Sequence, residues 1–331
     1  MAGNMFSIYF FLILYGFFLG LVFIYMLKRF SLRHNLLMPQ GTPLIGGIGM
    51  GLSFIFVALF FLINQGLSKE IAGIIVSSSL MLAFGVFDDW RELSIGSKFL
   101  MQIIATSILV LFGVRTQIVY IGNILNIVIT FIWVLGITNA FNHLDIMDSL
   151  ASGVAIIVSA AFLAISILNA DMRSATLCLI LIGAVLSFFL GNRPPAKIYM
   201  GNAGSHWLGF ILAAIALIIS YAPLDRKAAL LSPLLILGLP IFDTTFLVLI
   251  RLIKKSVPFK KSNDHLVLRL SALGYSKKKV LLIMFGLCLF FCLCGIASSR
   301  VPNYLGVGIV AFAALASLII GIKMSKTTVN G

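Results

Sequence analysis

Two aspartates, Asp88 and Asp89, stand side by side in the segment FDDWRE (87–92), where an apolar run ends. Adjacent carboxylates repel, and at an apolar boundary each is also partly desolvated. A divalent cation or a basic partner relieves both penalties; the bland alternative is a solvated helix end with the acids near Arg91. A second polar cluster, NAFNHLDIMDSLASG (139–153), sets Asn139, Asn142, His143, Asp145 and Asp148 in an apolar context. Asp145 and Asp148 are three apart, a spacing that shares one helix face. Asp148 is also placed to cap the helix that starts near Ser149. Capping does not account for Asn139, Asn142, His143 and Asp145 together. Amides and carboxylates at this density suit a polar, phosphorylated or sugar ligand.

A third segment is NRPPAKIYMGNAGSHWLGF (192–210). Pro194 and Pro195 break helix, and Gly201 and Gly204 permit tight turns. GSHWLGF then opens a new apolar helix, whose free backbone N–H groups attract anions such as phosphate. Lys197 adds a positive charge. An ordinary turn is the competing reading. The fourth segment, 251–279, is strongly basic. Most of its Lys and Arg suit anchorage to anionic lipid. Leu266, Leu270 and Leu273 share a stripe within it, with Asp264, His265 and Arg269 elsewhere. His265 and Arg269 are four apart, a spacing that lets them face one phosphate. Clustered carboxylates, amides, a helix N-terminus, Lys and His together match what phosphoryl transfer uses when carboxylates hold Mg²⁺ beside substrate phosphates. The four segments are expected to converge on one pocket.

The elements that must position these residues are membrane helices. The 331 residues are 61% hydrophobic and 10% charged, with mean hydropathy +1.13. A soluble domain carries about 25% charged residues, so most of this surface must face lipid. Spans of about 20 apolar residues are read at 6–27, 43–62, 71–87, 99–114, 124–141, 150–168, 174–190, 204–221, 229–250, 280–298 and 302–322. The first is too long, and lacks the basic leader, for a cleaved signal peptide. The expected fold is therefore all-α: a polytopic membrane protein of about eleven transmembrane helices. It is read as a single domain, 1–331, with inside loops at about 28–43, 88–98, 141–150, 191–204 and 251–279.

Orientation follows from Lys and Arg. With the N-terminus outside and the C-terminus cytoplasmic, 18 of the 24 fall on inside segments, as the positive-inside rule requires. The net charge of +14 then reflects orientation and anionic headgroups, not nucleic acid. Seven of the ten acids and all four histidines fall on the same side. The positive-inside rule does not cover acids or histidines, so a cytoplasmic-face site is the natural cause. An ion-coupled transporter or lipid flippase would place acids near the midplane, often at broken helices in repeated halves; here they cluster at one face and no repeat is visible. The four cysteines, Cys178, Cys288, Cys292 and Cys294, lie in apolar spans with no metal or redox spacing.

The whole pattern resembles the polyprenyl-phosphate N-acetylhexosamine-1-phosphate transferases. This family includes the GlcNAc-1-phosphate transferases and the phospho-N-acetylmuramoyl-pentapeptide translocases. Six pieces stand in family order: GTPLIGG (41–47), GVFDDW (85–90), TNAFNHLDIMDSLASG (138–153), PPAKIYMGNAGS (194–205), PIFDT (240–244) and DHLVLRL (264–270). The resemblance implies attack of a lipid phosphate, undecaprenyl phosphate, on the sugar-linked phosphorus of a UDP-sugar. UMP leaves, Mg²⁺ (or Mn²⁺ in its place) assists, and the product starts cell-envelope glycan synthesis. It implies catalytic roles for Asp88, Asp89, Asp145 and His265. It implies substrate contacts from Asn139, Asn142, Asp148, Lys197, Gly204 and Arg269, and metal contacts from Asp88, Asp89 and Asn202. The implied partners are the UDP-sugar, the polyprenyl phosphate and membrane lipids, and a homodimer is compatible with the sequence. The implied location is the bacterial cytoplasmic membrane, with the site facing the cytoplasm.

Three departures from the family pattern bear on activity. Asn202 stands where the family's Met-Gly-Asp places Asp, which keeps an oxygen but loses a charge. The usual His-x-His-His cluster retains only His265, followed by Leu266, Val267 and Leu268. Ile146 and Ser149 replace glycines after the two loop aspartates. In a divergent active enzyme, Asp145, Asp148 or Asp243 would supply the missing metal charge. A degenerate member would bind lipid phosphate or nucleotide without turnover.

Overall fold

The computed structural model describes residues 2–38, 41–66, 68–223, 225–254 and 264–327. Parts of the loops expected at 28–43 and 251–279 lie outside the described residues. The helices group into two compact units, Met1–Ile219 and Ser220–Gly331, a division that no linker in the sequence marks. The first contains α1 (Ala2–His34), α2 (Gly46–Gln65), α3 (Lys69–Trp90), α4 (Ile95–Leu111), α5 (Asn123–Leu144), α6 (Leu150–Leu168), α7 (Met172–Gly191) and α8 (Gly201–Ile218). The second contains a 3-10 turn (Lys227–Leu231), α9 (Ser232–Ile236), α10 (Gly238–Ile253), α11 (Leu266–Ala272), α12 (Lys277–Arg300) and α13 (Asn303–Ser325). There is no strand among the described residues.

Every apolar stretch read from the sequence is helical, and the protein is a multi-pass membrane protein by this pattern. Among the described residues, eight helices are long and apolar enough to cross a membrane unaided. The stretch at 229–250 is instead broken, with its two halves bent by 71° between Ile236 and Gly238. Gly238 and Pro240 sit at the start of the second half, where the missing Pro N–H is tolerated in a first turn. The stretch at 43–62 forms α2, and that at 99–114 forms the 17-residue apolar helix α4, Ile95–Leu111.

In the first unit α7 and α8 form the interior. In each, 78% of the most apolar window is buried, against 22% in α1, so α1 keeps most of its surface for lipid. Lipid tails are as apolar as leucine, so helices associate in membranes through close packing of small residues. The α2–α8 crossing shows this: a Cβ on Gly47 would stand 2.2 Å from the Gly204 Cα. Starts of helices are fixed locally. Ser68 accepts from the Ile71 N–H, Ser94 from Ser97, Asp171 from Ser174 and Ser276 from Lys279, each satisfying a backbone donor left over at a helix start. The α8 start has no such residue, since Met200 makes no cap, and its donors are satisfied from another helix.

Gly47→Val is expected to lower stability by about 2–3 kcal/mol through overpacking. Gly136→Ala, whose added methyl meets open space, is expected to be neutral or slightly stabilising. Thermal melts in detergent check the contrast.

Candidate active site

The paired acids end α3, with the helix carbonyls pointing at them. That is the unfavourable end for negative charge, so each needs an outside partner. Asp89 has two: its Oδ1 accepts from the Asn202 N–H at 2.7 Å and its Oδ2 from the Ala203 N–H at 2.9 Å. It is the missing cap of α8. The approach depends on Gly201, which has φ 71° and whose absent Cβ would meet Asp89 Oδ2 at 2.5 Å. Asp88, 5% exposed, accepts from the Leu93 N–H at 2.9 Å. Its Oδ2 lies 2.8 Å from Lys98 Nζ, an ionic contact without an aligned donor. A narrow pocket beside it is lined by Asp88, Lys98, Gln102 and His206 among apolar Met81, Phe84 and Met101.

The third segment meets the second across α5 and α8. Asn142 Nδ2 donates to Ser205 Oγ at 2.9 Å and to Asn202 Oδ1 at 3.3 Å. The Asn202 amide therefore acts as an acceptor here, the part an aspartate would play without its charge. His206 Nδ1 sits 3.1 Å from the Asn202 carbonyl. Because a carbonyl only accepts, Nδ1 carries the proton. Asn139 is engaged differently: it exchanges hydrogen bonds with Gln102 (2.8 and 3.3 Å) and donates to its own helix at Leu135. Its expected ligand contact gives way to a tie between α4 and α5.

The turn between α5 and α6 is locked to the segment after α7. Ser149 adopts the left-handed conformation, φ 68°, which a serine tolerates poorly and glycine freely. It is held there by Asn192, whose Oδ1 accepts from the Ser149 N–H at 2.7 Å and whose carbonyl accepts from Ser149 Oγ at 3.1 Å. The serine thus keeps the turn that a glycine would make. Asp148 does not cap α6; its Oδ2 accepts from the Ala196 N–H at 3.3 Å, steadying the loop that carries Lys197. Lys197 is exposed. Gly204 departs from its expected substrate contact: it is buried against Gly47 and Met200, and its smallness serves helix packing.

Asp145, at the end of α5, is the carboxyl that the fold leaves unbalanced. Burial, then the negative charges of Asp89 and Asp148, push it up to about 7. The carbonyl end of α5 adds to the same negative field. Among the described residues no three Asp, Glu, His or Cys side chains come together to hold a metal ion. The carboxylates that act on one another here, Asp145 with Asp89 and Asp148, are nonetheless the hard oxygen donors that Mg²⁺ takes in small number beside water and substrate phosphates. The chemistry of these oxygen donors fits a divalent cation.

In the second unit, His265 Nδ1 lies 3.0 Å from Asp243 Oδ2, and Asp243 Oδ1 accepts from the Leu266 N–H at 3.0 Å. Both Asp243 oxygens thus serve the start of α11. Arg269 departs from the expected phosphate contact. It is 2% exposed and donates to the Asp264 carbonyl and carboxylate at 3.1 and 2.8 Å. It also donates to the Met324, Ser325 and Thr327 carbonyls at the end of α13. It clamps α11 to α13, while His265 turns to Asp243. Asp264 also pairs with Lys254 at 2.7 Å.

Three segments read from the sequence therefore meet within the first unit: FDDWRE, the Asn142–Asp148 turn and MGNAGS. Lys98, Gln102, Asn192 and His206 belong to this site and were not singled out by sequence reasoning. Lys98 counted only as an inside charge. Gln102, a lone amide in an apolar stretch, carried the one usable signal.

Comparison with known proteins agrees with this geometry. The model of glycosyl transferase family 4 matches residues 71–220, which hold all three of these segments. The decaprenyl-phosphate N-acetylglucosaminephosphotransferase of Mycobacterium tuberculosis is 31% identical over 314 residues, 84% of this chain and 72% of the relative. The probable undecaprenyl-phosphate N-acetylglucosaminyl 1-phosphate transferase of Bacillus subtilis is 28% identical over 262 residues, 76% and 71% of the two chains. The phospho-N-acetylmuramoyl-pentapeptide-transferase of Prochlorococcus marinus is 34% identical over 204 residues, 54% and 55% of the two.

The Asp145 carboxyl titrates in the fold at about 7, above its ordinary 3.8. Charging it therefore costs the fold stability. The cost begins as pH rises past about 4 and is complete above about 7. Asp145→Asn cannot charge. With chelator present it should melt higher than the unmodified protein at about pH 8, by a margin that shrinks to nothing near pH 4. A margin that does not change with pH would contradict the assignment.

Proposed function

The chain belongs to glycosyl transferase family 4, and from that premise we propose that it transfers a sugar 1-phosphate from a UDP-sugar to a polyprenyl phosphate. An oxygen of the lipid phosphate bonds to the sugar-linked phosphorus. The bond from that phosphorus to the bridging oxygen breaks, its electron pair leaves with UMP, and a lipid–diphosphate–sugar remains. N-acetylglucosamine 1-phosphate and undecaprenyl phosphate are the proposed pair. What supports them is that the two relatives with the longer matches carry N-acetylglucosamine and a C50 or C55 polyprenyl phosphate in their names.

One observation carries the reading: the carboxyl of Asp145, raised by burial and by the charges of Asp89 and Asp148, in the turn that follows Asn142, whose amide is tied to Asn202 and Ser205. Such a place suits a cation together with phosphates. Asp145 and the Asn202 amide would hold Mg²⁺, or Mn²⁺. Asp89 would stand next to it, since each carboxylate oxygen has a second acceptor site beyond its amide bond. The ion, when bound, screens the diphosphate and stabilises charge on the leaving group. Asp88, tied to Lys98, is the proposed partner of the lipid phosphate at the α3 end. Lys197, exposed on the loop after α7, is a proposed phosphate contact. In the second unit His265 is the proposed phosphate contact.

The proposal includes the membrane setting. Eleven crossings with the N-terminus outside, an inner-membrane location and a cytoplasmic site are supported by the bias of Lys and Arg and by the acids and histidines on the same loops.

Purified protein with undecaprenyl phosphate and Mg²⁺ is expected to release UMP from UDP-N-acetylglucosamine in a panel of UDP-sugars. Release from none of them, with nucleotide still binding, would overturn the function. Asn202→Asp adds a charge at the proposed metal ligand on α8. It should lower the Mg²⁺ concentration for half-maximal rate roughly tenfold, the equivalent of about 1.4 kcal/mol of binding. An unchanged Mg²⁺ dependence would exclude position 202 from the metal site.

A further inference from the structure

The loop between α7 and α8 carries two cations that the fold leaves unpaired. It closes on itself: the Lys197 N–H donates to the Gly191 carbonyl and Asn192 Nδ2 donates to the Ile198 carbonyl, both at 3.0 Å. It is also bonded to the turn that carries Asp145. Asn192 holds Ser149 through its amide oxygen and its carbonyl, and the Ala196 N–H donates to Asp148. Arg193 and Lys197 stand on the two limbs of this closed loop, and both are exposed. The Arg193 guanidinium lies over the Phe189 ring, 5.4 Å from its centroid. That contact takes the face of the guanidinium and leaves its N–H edge for a ligand. In three other places a cation beside an acid pairs with it: Lys98 with Asp88, and Lys254 and Arg269 with Asp264. Here a carboxylate touches the loop itself, yet among the described residues neither Arg193 nor Lys197 forms an ion pair.

We propose that Arg193 is a binding residue for the nucleotide, which with Lys197 holds the phosphate ester of the UMP half of the sugar donor. The inference rests on the transferase reading and adds to it a contact on the nucleotide side of the site. The parallel N–H groups of a guanidinium match two oxygens of one phosphate, while an ammonium adds a point charge. Anchorage to lipid headgroups would explain two basic residues, but any flexible segment serves that purpose. A backbone closed by its own hydrogen bonds and tied to a second turn fixes where the charges stand, which lowers the cost of ordering them around a ligand. The attachment also selects between the two phosphates of the reaction. The loop is bonded to the Asp145–Ser149 turn, whereas Asp88 and Lys98 belong to the α3 end.

Calorimetric titration with UMP tests it, on the full-length protein in a neutral detergent where no anionic headgroup competes. Arg193→Gln should weaken UMP binding roughly tenfold. Arg193→Lys keeps the charge but loses the paired donors, and should fall between the two. The KM for UDP-N-acetylglucosamine should rise with Arg193→Gln by the same factor while kcat changes far less, because the contact is made equally before and during the reaction. The KM for undecaprenyl phosphate should stay where it is. The melting temperature should move by no more than about 2 °C, since only an exposed stack on Phe189 is lost. Unchanged UMP affinity in Arg193→Gln overturns the proposal. So does a rise confined to the KM for undecaprenyl phosphate, which would make the loop a contact for the lipid. An unmodified protein that binds UMP but releases none from any UDP-sugar would sink the transferase reading instead, and the UMP titration would still decide the role of Arg193.

Discussion

The candidate site depends on one end-to-end contact: the carbonyl end of α3 meets the N–H end of α8 with the Asp89 carboxylate between them. Taken alone, two aspartates at a helix C-terminus face an adverse dipole and each other. Turning α8's exposed donors onto Asp89 reverses this, because the same carboxylate that α3 disfavours is the cap that α8 lacks. Both of its oxygens are used, at 2.7 and 2.9 Å. Asp88 is separated from its neighbour by being given a different counter-charge, Lys98 from α4. The geometry tolerates no side chain at Gly201 or at Gly85, whose added Cβ would stand 2.4 Å from the Ala203 Cα. Once α8 is fixed by this contact, Asn202, Ser205 and His206 are fixed with it, and Asn142 closes the other side.

Hydropathy made the helices legible, because a chain with so few charges has only one way to satisfy its backbone in lipid. It could not show the bend between Ile236 and Gly238, since the apolar run continues through it and only Gly238 and Pro240 hint at a break. The residue clusters were legible as clusters, since polar groups at membrane depth are expensive without a role. Their partners were not. Asp89 and Asn202 are 113 residues apart, and nothing in either segment names the other.

The misassigned residues share a physical cause. A glycine near a helix start reads equally as a turn, an anion site or a close crossing, and Gly204 is the last of these. A basic residue one turn from a histidine reads as a phosphate ligand, but the carbonyls ending α13 are invisible in the sequence and they take Arg269. Asn139 reads as a ligand group until Gln102, on another helix, is seen to match it donor for acceptor. The apparent loss of glycine at position 149 is the converse case. There the sequence suggested a reshaped cleft, while Asn192 holds a serine in the backbone conformation a glycine would adopt.

The two units handle negative charge in opposite ways, and the difference locates the chemistry. In the second unit each buried acid has a basic partner, Asp243 with His265 and Asp264 with Arg269 and Lys254, so the cluster is complete in the protein alone. In the first unit Asp88 and Asp89 are likewise answered, by a lysine and by a helix N-terminus. Asp145 is not: it stands at the carbonyl end of α5 and feels two further carboxylates. At position 202 the chain keeps an uncharged oxygen that Asn142 can address. A carboxyl held in such a field gives up its proton more readily when positive charge comes near it.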